Sequence, residues 1–263
     1  MPATPLVLDP ASWQPWLGRL LWTLARVSGL CLTAPVLGAT VIPATIRAAL
    51  VLLLTGVLVP LMPGSALEPF SAAGVAAFVG QLLQGALLGF VLRLVFEAVA
   101  FGGQLIAQSM NLGFAETINP GAGGSTPVLG QFHTALVTLL FLALDGHLAL
   151  IGLLAESLRT LPPGSALDGA DGLHAVVLFG GELFAGAVRV ALPAMIALLV
   201  VNAGFAAISR AAPAMNLFAV GFPITLTLGL VVLLLALRGL PGAFTALQET
   251  AWTLLRRLAG VVP

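Results

Sequence analysis

The chain has 263 residues, of which 59% are hydrophobic and only 8% are charged, whereas a soluble domain carries roughly 25% charged residues. These values exclude an ordinary soluble domain and predict an integral membrane protein. Ten arginines balance ten acidic residues, so the net charge is zero and no basic surface favours nucleic acid. The single cysteine, Cys31, excludes an intramolecular disulfide. No Cys/His cluster has the spacing of a metal site, and we expect no cofactor.

Six segments are long and apolar enough to cross a bilayer as helices of about 20 residues. They cover residues 17–37, 41–62, 72–110, 128–158, 173–208 and 215–237. A short turn rich in glycine and proline joins the first two, which predicts a helical hairpin. The N-terminus lacks a basic segment before an apolar core, so we do not expect a cleaved signal peptide.

The third, fourth and fifth segments are too long for a simple crossing, and each contains residues that favour a break. These residues are Gly102 and Gly103 in the third, Asp145, Gly146 and His147 in the fourth, and Gly180, Gly181 and Pro193 in the fifth. The predicted fold class is therefore all-α, with integral membrane hairpins of kinked or broken helices. Residues 1–263 are expected to form a single polytopic domain.

The C-terminal stretch differs from the rest, because its apolar residues recur at helical spacing while charged residues lie on the other side. This pattern predicts an amphipathic helix over about residues 243–260, lying on a membrane surface or against a partner. Its apolar positions are Phe244, Leu247, Ala251, Leu254, Leu255 and Leu258.

One polar stripe runs along the third apolar segment. At about 100° per residue, its five polar side chains project within an arc of roughly 60°. The stripe consists of Arg93, Glu97, Gln104, Gln108 and Asn111. Two interpretations stay open: hydrogen bonding to neighbouring helices, or lining of a hydrophilic pathway. Both require protein or water, not lipid, on that face.

The remaining polar residues indicate no enzyme. Glu182 and Arg189 are seven residues apart and share a helix face, which favours a structural ion pair. No nucleophile elbow is present, and the sequence GAGGS at 121–125 lacks the lysine of a phosphate-binding loop.

The segment NLGFAETINPGAGGSTPVLGQ, residues 111–131, separates two long apolar segments and contains one charge, Glu116. A loop that met only water would normally carry more charge. Irregular backbone at membrane depth is tolerated where it is buried in protein or lines a water-filled passage. The segment is therefore interpreted as the lining or stopper of a pathway, with a re-entrant turn packed into a helical bundle as the alternative.

Five stretches of the chain, in the same order, resemble the FliR family of flagellar type III export-gate proteins. They are RVSGLCLTAPVLGATVIPATIRAAL at 26–50, GALLGFVLRLVFEAVAFGGQLIAQSMNLGFAETINP at 85–120, PVLGQF and LFLALDGHLALI within 127–151, and ISRAAPAMNLFAVGFPITLTLGL at 208–230. The resemblance covers nearly the whole chain. One departure is Asn119, where family members commonly carry aspartate before the proline.

The resemblance implies a non-enzymatic subunit that forms, with FliP and FliQ, a pore through which unfolded flagellar proteins leave the cytoplasm. It implies a multi-pass inner-membrane protein of the flagellar basal body, in contact with lipid, with FlhB and other export-apparatus proteins as partners. The family's plug corresponds to residues 110–124, and its candidate gate residues are Met110, Asn111, Leu112, Gly113, Phe114, Ala115, Glu116, Thr117, Ile118, Asn119 and Pro120. Subunit packing is assigned to Arg210, Pro213, Asn216, Phe218, Gly221 and Pro223.

Two other functions remain to be separated from this one. The corresponding subunit of a virulence injectisome would share the fold and the mechanism. A small-molecule transporter would need a substrate site near the bilayer midplane, often between inverted repeats, and the chain has no evident repeat.

Overall fold

The structure is a computed structural model that describes residues 10–39, 42–64, 67–112, 128–164, 169–211 and 217–261. Within these ranges all regular structure is helical, as the sequence predicted. The helices are α1 (Pro10–Thr33), α2 (Ala44–Leu58), α3 (Ala72–Ser109), α4 (Val128–Ala143), α5 (Gly146–Thr160), α6 (Gly169–Ala211), α7 (Leu217–Ala236) and α8 (Leu240–Leu258). Single 3₁₀ turns follow α2 at Val59–Leu61 and α7 at Leu237–Gly239.

Four helical segments of the described chain are long and apolar enough to cross a membrane: Ala44–Leu61, Ala72–Ser109, Asp171–Ile208 and Pro223–Leu258. Helices α4 and α5 meet the same criteria only as a bent pair, which would make a fifth span. The sequence predicted six. Helix α1 is the main difference, because polar residues such as Arg19 and Arg26 reduce its apolar character.

The predicted break at Asp145 is confirmed. Helix α4 ends at Ala143, α5 begins at Gly146, and Asp145 takes a left-handed conformation with φ 55°. An aspartate tolerates this region better than most residues. The chain therefore changes direction at the Asp-Gly pair.

The breaks predicted at the two glycine pairs are wrong, because α3 runs unbroken through Gly102 and Gly103 and α6 through Gly180 and Gly181. Helix α6 also continues past Pro193. In α3 the glycines serve packing: a Cβ at Gly103 would lie 2.7 Å from the Nδ1 atom of His133. Glycine is used here for close helix approach.

The chain divides into two compact units. The first comprises Met1–Arg93, Asp145–Val177 and Trp252–Pro263, and the second comprises Leu94–Leu144 and Leu178–Ala251. The core of the first unit includes the fully buried side chains Trp22, Arg26, Leu30, Met62, Leu88, Leu92, Leu150 and Leu154.

In the first unit, α1 and α3 approach each other through glycines. A Cβ at Gly29 would overlap the carbonyl oxygen of Leu82, and one at Gly85 would overlap the carbonyl oxygen of Arg26. The Thr33 hydroxyl donates a 2.8 Å hydrogen bond to the carbonyl oxygen of Ala86. Small residues allow this backbone contact, which gives close van der Waals packing without needing large side chains.

In the second unit, aromatic rings join three helices. The ring of Phe96 in α3 makes edge-to-face contacts with Phe141 of α4 and Phe244 of α8, at centroid distances of 5.4 and 5.8 Å. Leu247 of α8 packs at Gly186 of α6. The apolar residues Phe244, Leu247 and Ala251 of α8 are thus buried in this unit, and a contact of α8 with a membrane surface or a partner stays a prediction.

Candidate functional site

The predicted stopper lies mostly outside the described residues. Its first three residues, Met110, Asn111 and Leu112, are described. The residues Gly113, Phe114, Ala115, Glu116, Thr117, Ile118, Asn119 and Pro120 belong to the range 113–127, which the structure does not describe. The structure therefore describes the residues that precede and follow this range, and their contacts.

The N-terminal end is fixed by a helix C-cap. Asn111 has φ 61°, its N–H donates to the carbonyl of Gln108, and the N–H of Leu112 donates to the carbonyl of Ala107, both at 3.0 Å. This pair of hydrogen bonds is the Schellman arrangement, which satisfies carbonyls at a helix end and needs a residue that tolerates the left-handed region. Asparagine meets that need, so α3 stops at a defined place.

Residues close to each end of the undescribed range belong to one apolar cluster of the second unit. Met110 precedes the range and is fully buried, and Leu129 follows it and is 8% exposed. The cluster consists of Ile106, Ala107, Met110, Leu129, Ala191, Ala194, Leu198 and Leu233. Met110 and Leu129, on either side of the undescribed range, are therefore core residues of the same cluster.

Helices α3 and α4 are in close contact beside this cluster. A Cβ at Gly103 would lie 2.7 Å from the carbonyl oxygen of Leu129, and one at Gly130 would lie 3.0 Å from Cγ of Gln104. The Asn202 amide of α6 donates a 3.4 Å hydrogen bond to the carbonyl of Ser109. Tightly packed helices therefore surround the residues that precede and follow the range 113–127.

The predicted polar stripe lies along α3. Arg93, Glu97 and Gln108 are exposed, while Gln104 and Asn111 are half-buried. Arg93 and Glu97 each take part in an interaction with the rest of the chain. The charged and amide groups therefore share the accessible side of an otherwise apolar helix.

The predicted packing residues near the start of α7 are only partly described. Arg210, near the end of α6, is exposed, as is Pro223, while Gly221 is buried. Pro213 and Asn216 lie outside the described residues, and Phe218 lies in α7 with no description of its side chain.

The ion pair predicted in α6 is confirmed. The guanidinium Nη1 of Arg189 lies 3.5 Å from Oε2 of Glu182, and the two side chains are 62% and 34% exposed. An exposed pair of this kind adds little to stability. It is a structural contact on the helix surface.

Arg26 was not singled out by the sequence, although it is fully buried in the first unit. Its Nη1 donates to the carbonyl and the hydroxyl of Ser157, and its Nη2 donates to the carbonyl of Leu161 at 2.6 Å. Burial lowers the pKa of this guanidinium to about 9, so it stays charged at neutral pH. It caps the negative C-terminal end of α5. An arginine within an apolar segment was the available signal.

The chain is similar to known export proteins along most of its length. The family model described as "Bacterial export proteins, family 1" matches residues 17–251. The flagellar biosynthetic protein FliR of Pectobacterium carotovorum subsp. carotovorum is 36% identical over 226 residues, covering 86% of this chain and 87% of the relative.

Two further relatives agree. FliR of Escherichia coli K12 is 34% identical over 225 residues, with 86% of both chains covered. FliR of Aquifex aeolicus is 32% identical over 234 residues, covering 88% of this chain and 89% of the relative. The chain therefore belongs to family 1 of the bacterial export proteins, as a multi-helix membrane member related to the flagellar biosynthetic protein FliR.

Proposed function

We propose that this protein is a non-enzymatic core subunit of the flagellar type III export gate, and that it forms with FliP and FliQ the pore for unfolded flagellar proteins. The observation that carries the proposal is the family match over residues 17–251. A multi-pass position in the inner membrane, next to FlhB, belongs to the same proposal. The flagellar names of the relatives favour this gate over the injectisome subunit.

The exposed apolar helices support a protein that works inside an assembly. Large apolar side chains on α2 and α7, such as Leu53, Val57, Leu234 and Leu235, are each more than half exposed. Contiguous apolar surface of this kind needs a cover of lipid or protein. In contrast, the stripe with Arg93 and Glu97 on α3 is polar and would be costly against lipid. We assign the stripe to a subunit interface or to the pathway.

Residues 110–124 act, in this proposal, as the plug that closes the pore at rest. Support comes from their composition, with one charge among small residues, and from the anchoring of Met110 and Leu129 in one cluster. A segment held at both ends by a packed core is free to block a passage without losing its attachment. Arg210, Pro213, Asn216, Phe218, Gly221 and Pro223 are assigned to contacts between subunits.

Membership of the gate is tested by isolating the tagged chain from its native membrane. We expect FliP and FliQ to co-purify, and deletion of the gene to abolish motility. Purification as a monomer that binds a small solute would support the transporter instead. Motile deletion cells that lose effector secretion would point to an injectisome.

The plug is tested by deleting residues 112–118 and measuring the ion permeability of the inner membrane. The complex should still assemble, because both anchors remain, while small ions leak through it. A deletion of three residues from the polar turn at 162–171 is the control and should not leak. A membrane as tight as that of the parent, with the complex assembled, would exclude the plug role.

A further inference from the structure

The second unit contains a cavity of about 70 Å³. It lies among α3, α4, α6 and the junction of α7 and α8. Its lining comprises Ile106, His133, Arg189, Val190, Pro193, Ala236, Leu237, Gly239, Leu240 and Ala243. Most of these side chains are apolar, so the polar groups among them determine what the cavity holds.

The first polar group is a backbone carbonyl in α6. Pro193 has no N–H, so the carbonyl of Arg189, four residues earlier, lacks its usual helical donor. Both residues line the cavity, and we therefore infer that the missing hydrogen bond lies on the cavity side of the helix. In a helix long and apolar enough to span a membrane, such a carbonyl needs another donor, and ordered water can supply it.

The second polar group is the imidazole of His133, which is 2% exposed. Its Nδ1 lies 2.7 Å from the carbonyl oxygen of Leu129. Because a carbonyl only accepts, the neutral ring carries its proton on Nδ1, and Nε2 is an acceptor. No residue in the described ranges donates to Nε2.

We propose that this cavity is a hydration site, in which a water molecule donates one hydrogen bond to the carbonyl of Arg189 and one to Nε2 of His133. Two acceptors require a ligand with two donors, which a lipid acyl chain cannot provide. A single water needs roughly 10–15 Å³ of such space, so 70 Å³ is enough for at least two. The Arg189 guanidinium already pairs with Glu182, so no anion is needed.

The hydration site is next to the apolar cluster that contains residues on either side of the undescribed range 113–127. Ile106 belongs both to the cavity lining and to the cluster that contains Met110 and Leu129. A bound water therefore allows α6 to contain Pro193 beside this cluster, because the water donates to the carbonyl of Arg189. The inference depends on the geometry of the second unit and is independent of the export function.

A double-mutant cycle on the full chain, purified with its assembly, tests the bridge. Replacing His133 by phenylalanine (H133F) removes both the Nδ1 bond to the Leu129 carbonyl and the acceptor for the water. The water contact should account for about 2–4 °C of the loss in thermal midpoint, the shift expected for one hydrogen bond in a chain of this size. In a Pro193→Ala background the N–H of residue 193 binds the carbonyl again. The same histidine change should then lower the midpoint by about 2–4 °C less than it does in the parent, because the lost bond to Leu129 is common to both backgrounds. His133→Gln, which keeps an acceptor, should retain most of the midpoint.

Equal losses in the two backgrounds, or no loss in the parent, would overturn the bridge. If H133F does not fold, a cryo-electron microscopy map of the parent assembly at a resolution that shows water provides the second measurement. Density within hydrogen-bond distance of both acceptors is expected. An empty cavity, or density continuous with a lipid chain, would refute the proposal.

Discussion

Helices α3 and α7 are both apolar, but the chain covers them to different extents. In the apolar segment Ala72–Ser109, which is α3, 44% of an 18-residue apolar window is buried within the chain. In the segment Pro223–Leu258, which joins most of α7 to α8, the corresponding share is 22%. Helix α3 contacts its neighbours through glycines and Phe96. Helix α7 leaves large side chains exposed: Leu228, Leu230, Val231, Leu234 and Leu235.

The difference separates two uses of apolar residues. Those of α3 hold the chain together, so changes there should reduce the stability of the isolated chain. The apolar residues on the exposed face of α7, such as Leu234 and Leu235, are largely uncovered within the described residues and are available for lipid or another subunit. Changes to these exposed residues should leave the fold intact and weaken the contacts that the protein makes with lipid or another subunit. The following predictions test this division, beginning with the largest effect.

Gly85→Leu in α3 should prevent accumulation of the folded chain, because even a Cβ at this position would overlap the carbonyl oxygen of Arg26. Backbone atoms cannot move aside without separating α1 from α3. The measurement is the yield of monodisperse protein from membranes. Gly80→Leu is the matched control, since nothing lies within 4 Å of its Cβ position, and its yield should equal that of the parent. Equal yields of both variants would contradict the packing described for α3.

Arg26→Ala should lower the free energy of unfolding by about 3 kcal/mol, because it removes the charged hydrogen bonds to the carbonyls of Ser157 and Leu161 and opens a cavity where a fully buried side chain stood. Denaturant unfolding in detergent measures the change. Arg159→Ala in the last turn of α5 is the control, because Arg159 is exposed and should cost less than about 0.5 kcal/mol. If the two variants were equally stable, Arg26 would not be the cap of α5.

Met110→Ala should cost about 2–3 kcal/mol, since it opens a cavity in the cluster that holds both ends of the loop. Because the anchor is weakened, we also expect ion leakage through the assembled gate. Met195→Ala, at a partly buried position on the same cluster, should cost about 1 kcal/mol, since less apolar surface is lost there. Thermal midpoints and a membrane leak assay report the two effects. A loss of stability without leakage would separate the cluster from gating.

Leu234→Ala in α7 should have the smallest effect on the chain, within about 0.5 kcal/mol, because the side chain is 67% exposed. Its neighbour Leu233 is 6% exposed and belongs to the buried cluster, so Leu233→Ala should cost about 2–4 kcal/mol. Recovery of the complex with FliP and FliQ should decrease for Leu234→Ala if α7 contacts a subunit. A larger stability loss for Leu234→Ala than for Leu233→Ala would reverse the assignment of the two faces.

Much of this fold follows from the sequence, because helix periodicity and turn residues are local signals. The break at Asp145 was predictable from an aspartate and a glycine within an apolar run, and the pairing of Glu182 with Arg189 from their spacing. The glycines of α3 were misread as breaks, since a helical glycine signals a kink or a close contact equally well. The residues that pack against these glycines, such as His133 of α4 against Gly103, are distant in the sequence.

The candidate site was predictable only in part. The stripe containing Arg93 and Glu97 was predictable, because it depends only on residue spacing within one helix. The cap formed by Arg26 depends on backbone carbonyls more than 130 residues away, and backbone carbonyls have no sequence signature. The cluster around Met110 and the cavity at Pro193 depend on how several helices meet, which residue spacing alone does not determine.

The most direct test is a structure of the complete gate purified from its native membrane in the closed state. The proposal predicts that residues 110–124 of this chain lie across the central passage, with Met110 and Leu129 still packed in one cluster. If that segment instead lies at the outer edge of the assembly, away from any channel, it does not close the gate.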